Sequence, residues 1–476
     1  MTTGEGLNTP TQDEINVPRW TSEEVLTTGV AQGWADPADW REVDFSTRPS
    51  CEGPYEFDAA GRPLNRHRTS DMSGDRGELG KYGPNYAAES LVVAVDHTGK
   101  RHILLARRND PRRTDEEQQW SLPGGIVDAD EHTSAAAIRE VQEKTGVDLA
   151  AVPCRTLYQM YANDYRNTRN SWIEATGVLH ILHYTPAAKA DGAEVSATRW
   201  FELPDTLEEL EEETGKLFAS HGDGVRMLLE GLHRFTRTMD AAQQAHGQGR
   251  FARARQLYLA AADILPDPLE KGRATRGAAE GAWRIGAMDA AITDAHEALS
   301  GHDEAVRIFP EAAKTQARRE RAASGGVLGR IVVAAAVRWE RSGDLTPMQA
   351  RAIAQEGVGY LDAALDDILA VEAATGVAPD QYKINIMSRL AVAHALYGDQ
   401  VVGRRHAQQA QTIGARSEAA SNPTSANLPA RYRVRARARS IPRAYAALAA
   451  SHLATRSASL RRNVALAIAG NSRIGL

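Results

Sequence analysis

The chain changes character near residue 235, and this change limits what it can fold into more than any other feature. Before it, Gly and Pro interrupt a mixed sequence, whereas the residues after it are rich in Ala and Arg and show almost no β-branched alternation. A length of 476 residues is also about three times that of a ~150-residue domain. We therefore expect an N-terminal arm (1–53), an α/β domain (54–235) and an all-α domain (236–476).

Charge divides along the same line. Residues 1–240 contain 25 Lys and Arg against 41 Asp and Glu, whereas residues 241–476 contain 31 against 21, so the net charges are −16 and +10. An acidic half beside a basic half again indicates two domains. The basic half could meet an anionic partner or simply neutralise its neighbour, and the sequence leaves both interpretations open.

Several classes of protein are not expected. The longest aliphatic run, 331–337, is far shorter than the ~20 apolar residues of a membrane span, and the N-terminus has no signal-peptide pattern. The 14 His residues show no zinc-ligand spacing, and only Cys51 and Cys154 could form a disulfide. We therefore expect a cytoplasmic protein with no membrane partner, no zinc site and no disulfide framework.

The first half alternates predicted strands with a predicted helix. Residues 91–95 and 102–105 have the composition of strands joined by a turn at 96–100, and 172–184 holds one or two more strands. A helix is predicted between them, and this order is typical of an α/β sandwich. The first 50 residues, which contain three Trp, show no period, so we expect an irregular arm packed on this domain.

The predicted helix covers residues 134–145. Thr133 or Ser134 is its expected N-cap, because short hydroxyl side chains satisfy the free amide groups of a first turn. Gly146 is its expected end, since glycine readily adopts the left-handed conformation that terminates helices.

A fixed spacing of Gly, Glu and Arg runs through this segment. The residues are Gly125, Glu131, Arg139, Glu140 and Glu143. Residues 140, 143 and 144 share one face of a helix, while Ile138 and Val141 face a core. Glu131 can reach the same region from the preceding loop, and Arg139 can neutralise and orient a Glu. Mg²⁺ is bound by a few carboxylates and by substrate phosphates, so the pattern favours a metal-bound pyrophosphate over a solvated acidic helix.

This segment resembles the Nudix box, G-x5-E-x7-R-E-U-x-E-E-x-G-U, in which U is aliphatic. The resemblance implies a Nudix α/β sandwich with a mixed sheet between helices, and hydrolase activity that depends on Mg²⁺ or Mn²⁺. It places Gly125, Glu131, Glu140 and Glu143 at metal-binding positions, and Glu140, Glu143 and Arg139 at catalytic positions.

One position departs from that pattern. Lys144 stands where the family has a second Glu of the E-E pair, which is normally a metal ligand. Lys144 could form an ion pair with Glu140, which would weaken metal binding and catalysis, or swing out and leave Glu131, Glu140 and Glu143 to hold one metal.

Segments 80–88, 120–128, 164–174 and 218–221 are similar to ADP-ribose pyrophosphatases and to the ligand-sensing domain of ADP-ribose-gated melastatin channels. The resemblance implies a nucleoside diphosphate-linked small molecule as ligand. Its substrate positions are Asp164, Arg166, Phe218, Ser220 and Tyr86, the last of which stands where the family has His. Trp172 is expected in the core rather than against a base, because aromatic residues are usually buried.

Two functions are therefore weighed for the first domain. The leading one is hydrolysis of the diphosphate of ADP-ribose or a related NAD-derived dinucleotide to AMP and a sugar phosphate. The alternative is a catalytically weak or inactive sensor of these metabolites that signals through the helical domain.

The second half contains a weak internal repeat. Its spacings resemble the tetratricopeptide repeat, in which small residues let two antiparallel helices approach, although an Ala-rich bundle with coincidental spacing is the alternative. Such repeats bind a protein partner or another copy of the chain. Residues 419–429 are expected to be a loop. The repeating positions are Gly249, Phe251, Ala254, Tyr258, Ala261 and Pro266, then Gly286, Met288, Ala291, Ala295 and Ala298, and more faintly Gly398, Gly403, Ala407 and Ala410.

Clustered arginines occur at 431–439, where five alternate with other residues. A strip of this kind could bind phosphates, but a solvated helix or an arm lying on the acidic half is the favoured interpretation, so nucleic acid is not an expected partner. Arg107, Arg108, Arg112 and Arg113 are either on the substrate side or on an exposed loop face.

Overall fold

The computed structural model describes residues 17–110, 114, 118–377 and 379–421. The chain divides into two compact units, 1–234 and 235–476, and the division falls within the helix His221–Gly247. The predicted arginine strip at 431–439 lies outside the described residues, as do Arg112 and Arg113.

The N-terminal segment of the first unit is irregular, as predicted, over the described residues 17–53. Asp36 anchors it to the rest of the unit, because its buried carboxylate accepts hydrogen bonds from the Tyr82 amide (2.7 Å) and from Arg48 (2.7 and 2.9 Å). The first 16 residues lie outside the description. The elements up to residue 77 are β1 (Arg19–Thr21), a π-helical turn (Val25–Gly29), an α-helical turn (Val30–Gln32), 3-10 turns (Trp40–Glu42 and Phe45–Thr47), β2 (Glu56–Phe57), β3 (Pro63–Leu64) and β4 (Gly74–Gly77).

A mixed seven-stranded sheet forms the centre of the unit. Its main order is β11-β6-β5-β10-β9, with β7 on β6 and β8 on β5. The long strands β5 and β10 run parallel, whereas the other pairs are antiparallel. The strands are β5 (Gly83–Val95), β6 (Arg101–Arg108), β7 (Trp120–Ser121), β8 (Gly124–Ile126), β9 (Cys154–Tyr161), β10 (Ser171–Leu182) and β11 (Val195–Glu202).

The predicted strands are confirmed, although they are longer than the apolar runs suggested. β5 and β6 form a hairpin whose turn is closed by Asp96, which accepts from the amides of Thr98 (2.8 Å) and Lys100 (3.0 Å). The segment 172–184 contributes one strand, β10, and all twelve of its residues are buried.

The predicted helix is α1 (Thr133–Thr145), and Gly146 ends it in the left-handed conformation with φ of 69°. The prediction of its N-cap was wrong. His132 has the extended backbone of an N-cap and its ring accepts from the Ser134 amide, because Thr133 already belongs to the helix. Val141 packs with Val92, Leu104, Val147, Leu149 and Leu182, and Ile138 lies against this cluster, so the predicted core face is confirmed. A second helix, α2, spans Leu207–Thr214.

The second unit is helical throughout its described residues, as predicted. Small residues let its helices approach closely; a Cβ on Gly272, for example, would lie 2.6 Å from His302 Nε2. The expected loop at 419–429 is wrong at its start, since the last helix extends to Ser421, and residues 422–429 lie outside the description. The helices are α3 (His221–Gly247), α4 (Phe251–Ala262), α5 (Pro268–Arg284), α6 (Met288–Ile308), α7 (Glu311–Ser342), α8 (Pro347–Thr375), α9 (Asp380–Tyr397) and α10 (Gln400–Ser421).

One stretch of α7, Ala313–Ser342, is long and apolar enough to span a membrane by length and composition alone. The expectation drawn from the short aliphatic run did not count the small and apolar residues that precede it in this helix, at 322–329. However, 83% of the most apolar window is buried, and residues such as Ile331 and Val333 pack into the clusters between helices. Such burial is typical of a core helix.

Candidate active site

The glycine pair that begins the Gly, Glu and Arg spacing lies between β5 and α1. In β8, Gly124 pairs with Glu89 of β5 and Gly125 pairs with Ala88. A Cβ on Gly124 would lie 2.3 Å from the Ala88 carbonyl oxygen, and one on Gly125 would lie 2.2 Å from Glu140 Oε1. The backbone therefore passes directly against the Glu140 carboxylate, and only glycine permits this approach.

Arg139 joins the predicted carboxylates into one cluster. Its Nε and Nη2 donate to Glu131 (3.0 and 2.9 Å), and its Nη1 donates to Glu140 (2.9 Å) and to Glu143 (3.2 Å). The hydrogen bond to Glu131 is the main reason that the pKa of Arg139 is raised, and it lowers the pKa of Glu131 in return. The sequence therefore correctly predicted which of these residues come together.

Lys144 takes the first of the two orientations that the sequence left open. Its ammonium donates to the Gly124 carbonyl (2.5 Å) and lies 2.9 Å from Glu140 Oε2 and 3.1 Å from Glu194 Oε2. The Lys144 side chain is 14% exposed, so it does not extend into solvent. Glu194 precedes β11 in the chain, and no spacing in the sequence linked it to α1.

The arrangement does not fit a divalent cation while Lys144 holds this position. In the described part of the chain, no group of three or more His, Cys, Asp or Glu side chains is placed to hold a metal. Glu140 is bonded by Arg139 on one oxygen and by Lys144 on the other. The predicted ligands Gly125, Glu131, Glu140 and Glu143 are thus neighbours, but basic groups lie among them, and a metal would have to displace one of these groups.

A second buried cluster lies next to the glycine pair, and sequence reasoning missed it. Glu89, which is 5% exposed, accepts a hydrogen bond from the Tyr158 hydroxyl (2.6 Å) and lies 3.5 Å from His221 Nε2. The other ring nitrogen of His221 accepts from the Leu122 amide (2.8 Å). Burial lowers the pKa of His221 and raises that of Tyr158 well above its usual value. In the sequence, the only indication of this cluster was Glu89, a charged residue within the mostly apolar strand β5.

Asp164 and Arg166 form a bidentate pair at the predicted substrate end. The Nε and Nη2 atoms of Arg166 donate to the two carboxylate oxygens of Asp164 (2.8 and 2.9 Å). Burial alone would raise the pKa of Asp164, but the hydrogen bonds and charge of Arg166 keep it below its usual value.

Phe218 and Ser220 are buried beside this pair. The Phe218 amide donates to the Trp120 carbonyl (2.9 Å), and the Ser220 hydroxyl accepts from the Asn163 amide (2.8 Å). The exposed ring of Tyr165 lies edge-on to that of Phe218, with their centroids 6.4 Å apart. These contacts fix the segment 218–221 against the strand that leads to the glycine pair.

Tyr86 contacts the N-terminal arm. Its hydroxyl donates to the Pro49 carbonyl (2.6 Å), and burial, followed by the charge of Glu174, raises its pKa to about 12. Trp172 is 2% exposed and donates to Glu174 (2.9 Å), so its predicted place in the core is confirmed. Cys51 and Cys154 are both free thiols.

Comparison with known proteins identifies relatives of the first unit. The family model described as NUDIX domain matches residues 87–222. The chain is 30% identical over 220 residues to nudix hydrolase 6 of Caenorhabditis elegans, which covers 41% of this chain and 78% of that protein. It is 27% identical over 261 residues to the mitochondrial ADP-ribose pyrophosphatase of Rattus norvegicus, which covers 45% and 69% respectively. The solved NUDIX domain of Shewanella oneidensis NrtR, complexed with ADP ribose, is 23% identical, covers 32% of this chain and 89% of its own, and has a TM-score of 0.26.

Proposed function

The chain belongs to the Nudix hydrolase family, and on that premise we propose that it hydrolyses the diphosphate of ADP-ribose or of a related NAD-derived dinucleotide. The observation that carries the proposal is the glycine pair packed against Glu140, which Arg139 joins to Glu131 and Glu143. The products would be AMP and a sugar phosphate.

The substrate class is supported by the relatives and by the far end of the site. One relative is named an ADP-ribose pyrophosphatase, and its similarity extends over 45% of this chain. The resemblance implies that Asp164 and Arg166 lie near the distal ribose and phosphates, and that Phe218 and Ser220 lie near the terminal ribose. Asp164, Phe218 and Ser220 are buried, and Arg166 is bonded to Asp164, which gives this end a defined shape.

In the proposed reaction, water attacks one phosphorus atom and the bond from that atom to the bridging oxygen breaks. Glu140 would be the residue nearest the attacking water, and Arg139 would hold Glu131, Glu140 and Glu143 in place. The Lys144 ammonium would offset the negative charge of the diphosphate, since a preorganised cation stabilises charge that develops during reaction.

Metal dependence is part of the proposal in a weakened form. Mg²⁺ or Mn²⁺ would supply a Lewis acid at the diphosphate when bound. The Lys144 ammonium already contacts the Glu140 carboxylate and the Gly124 carbonyl oxygen, which a metal ion would need as ligands. We therefore expect Mg²⁺ or Mn²⁺ to stimulate the reaction only at high concentration.

The test is product analysis. The full chain is incubated at high concentration with ADP-ribose, NAD or FAD, with and without Mg²⁺ or Mn²⁺, and products are followed by mass spectrometry. We expect AMP from ADP-ribose, and release of AMP from none of the three would refute the proposal.

A second candidate function is favoured by the contacts of Lys144. With an ammonium bound where the family pattern has a carboxylate, the site could bind ADP-ribose without turning it over and act as a sensor. This predicts micromolar binding of ADP-ribose in calorimetry together with no AMP in the product assay. Absence of binding for every nucleotide tested would exclude it.

The second unit would bind a partner whether the first unit acts as a hydrolase or as a sensor. We propose that residues 236–476 are a tetratricopeptide-like domain that binds a protein partner or a second copy of the chain, and that the protein acts in the cytoplasm. Light scattering of the purified chain tests self-association; a monomer at all concentrations would leave the protein partner as the proposal.

A further inference from the structure

We infer that Arg108, at the end of β6, binds a phosphate group of the ligand. This inference rests on the proposed function, because the phosphate belongs to the diphosphate of the same ligand. The family resemblance indicates Arg166 as the main phosphate contact. We assign this contact to Arg108 instead, whose role the sequence left open.

Arg166 has little free capacity for a phosphate. Its Nε and Nη2 atoms face the two oxygens of Asp164 at 2.8 and 2.9 Å, which is the same bidentate geometry that an arginine uses to bind a phosphate. Asp164 is 6% exposed, so releasing Arg166 would leave a buried carboxylate without its cation.

Arg108 has the opposite environment. Its guanidinium carbon lies 4.1 Å from the centroid of the Phe218 ring, and its Nε is buried without a hydrogen-bond partner. Within the described residues, no carboxylate forms an ion pair with it. Burial, followed by the nearby charge of Arg166, lowers the pKa of Arg108, yet an arginine stays charged at neutral pH. Arg108 is therefore a half-buried cation whose Nε has no hydrogen-bond partner, and an anionic ligand would supply that partner.

The position of Arg108 links it to the glycine pair. Phe218, on which it stacks, hydrogen-bonds to Trp120, and His221 hydrogen-bonds to Leu122, just before the glycines. The rings of Phe218 and His221 lie edge-on with their centroids 5.7 Å apart, so Arg108 on Phe218 is close to the segment that leads to Gly124. Lys144 donates to the carbonyl of that glycine. Two cations in one region suit a ligand with two linked phosphates.

The alternative is that the Phe218 stack alone explains Arg108, because arginine often packs on aromatic faces. Two variants separate these interpretations. Arg108→Leu keeps apolar contact with Phe218 but removes the charge, whereas Arg108→Lys keeps the charge but loses the planar fork. Arg199→Leu is the matched control, because Arg199 also stacks on a phenylalanine ring, that of Phe201 at 4.6 Å, but is exposed and pairs with Glu213.

The experiment measures affinities of the full chain by isothermal titration calorimetry for ADP-ribose, inorganic pyrophosphate and adenosine. We expect Arg108→Leu to weaken ADP-ribose and pyrophosphate binding by about 10- to 100-fold, the range for a hydrogen-bonded charge, and Arg108→Lys to weaken it less. Adenosine affinity of Arg108→Leu, and all three affinities of the Arg199→Leu control, should be unchanged.

The outcomes distinguish this inference from the proposed function. If wild type binds pyrophosphate but not ADP-ribose, the proposed ligand is wrong, and a loss of pyrophosphate binding in Arg108→Leu still supports the phosphate role. If Arg108→Leu binds ADP-ribose and pyrophosphate like wild type, the inference is overturned. An equal loss of adenosine affinity in Arg108→Leu would also overturn it, because that loss would reflect packing. The inference is likewise overturned if the wild-type chain binds no pyrophosphate.

Discussion

The acidic helix α1 and the helical unit use the same kinds of side chain in different ways. In the helical unit, Arg321 of α7 pairs with Asp367 of α8, and Arg255 of α4 pairs with Asp294 of α6, so each pair connects two helices. In the first unit, Arg139 contacts Glu131, Glu140 and Glu143, two of which lie on its own helix. Lys144 adds a second cation on Glu140.

This difference indicates what each arrangement is for. An ion pair between helices contributes to stability, because removal of either partner leaves a charge in a poorly solvated place. A cluster in which carboxylates outnumber cations connects few elements and concentrates charge beside the glycine pair. We therefore expect changes in the cluster to affect turnover more than folding, and changes in the interhelical pairs to do the reverse.

The largest effect is expected for Glu140→Gln. It removes the charge that Arg139 and Lys144 share beside Gly125, and we expect the rate of AMP release from ADP-ribose to fall by about 100-fold or more, as for other groups that act on the transition state. A quenched-reaction assay measures the rate, and circular dichroism checks the fold. A rate within threefold of wild type would show that the cluster is not the reaction centre.

Acid should destabilise the helical unit through His302. This ring is fully buried, and burial, followed by the charge of Arg276, lowers its pKa to about 4. Between about pH 6.5 and 4, His302 is protonated in the unfolded chain but stays neutral in the folded chain. The free energy of unfolding should therefore fall by about 3 kcal/mol as the pH is lowered over this range. Urea unfolding at several pH values measures this slope. The variant His302→Asn should lose this part of the slope, and an unchanged slope would exclude His302 as its source.

A smaller loss of stability is expected for Asp367→Asn. Arg321 donates to both carboxylate oxygens of Asp367, and the variant leaves this half-buried guanidinium with the exposed Asp303 as its remaining carboxylate partner. We expect the free energy of unfolding of the helical unit to fall by about 2 kcal/mol. The rate of AMP release per folded molecule should not change, and a parallel fall in that rate would argue against the division of roles drawn here.

The smallest effect is expected for Lys144→Glu. It replaces the ammonium that lies on Glu140, Glu194 and the Gly124 carbonyl with a carboxylate, so a divalent ion no longer competes with a side chain. We expect Mn²⁺ to bind about tenfold more tightly, an effect of about 1.4 kcal/mol in calorimetry. Lys144→Met is the control for loss of charge alone. Equal Mn²⁺ affinity in wild type and Lys144→Glu would mean that Lys144 does not occupy the metal position.

Contacts local in sequence were predictable, and those between distant segments were not. The spacing of Glu140, Glu143 and Lys144 on a 3.6-residue period fixed their shared face, and the apolar period fixed the core contact of Val141. Glu194 contacts Lys144 of α1, and His221 contacts Glu89 of β5. These contacts join segments far apart in the chain, so no periodicity in the sequence could reveal them. His132 was missed as a cap because histidine rarely serves in that position.

Hydrolysis of ADP-ribose by the wild-type chain in water enriched in oxygen-18 is the decisive experiment. Attack of water on phosphorus predicts AMP and a sugar phosphate, with one oxygen-18 atom in one of the two phosphates and none in the ribose rings. Intact ADP-ribose after long incubation at high protein concentration, or products that carry no label, would rule out hydrolysis of the diphosphate at this site.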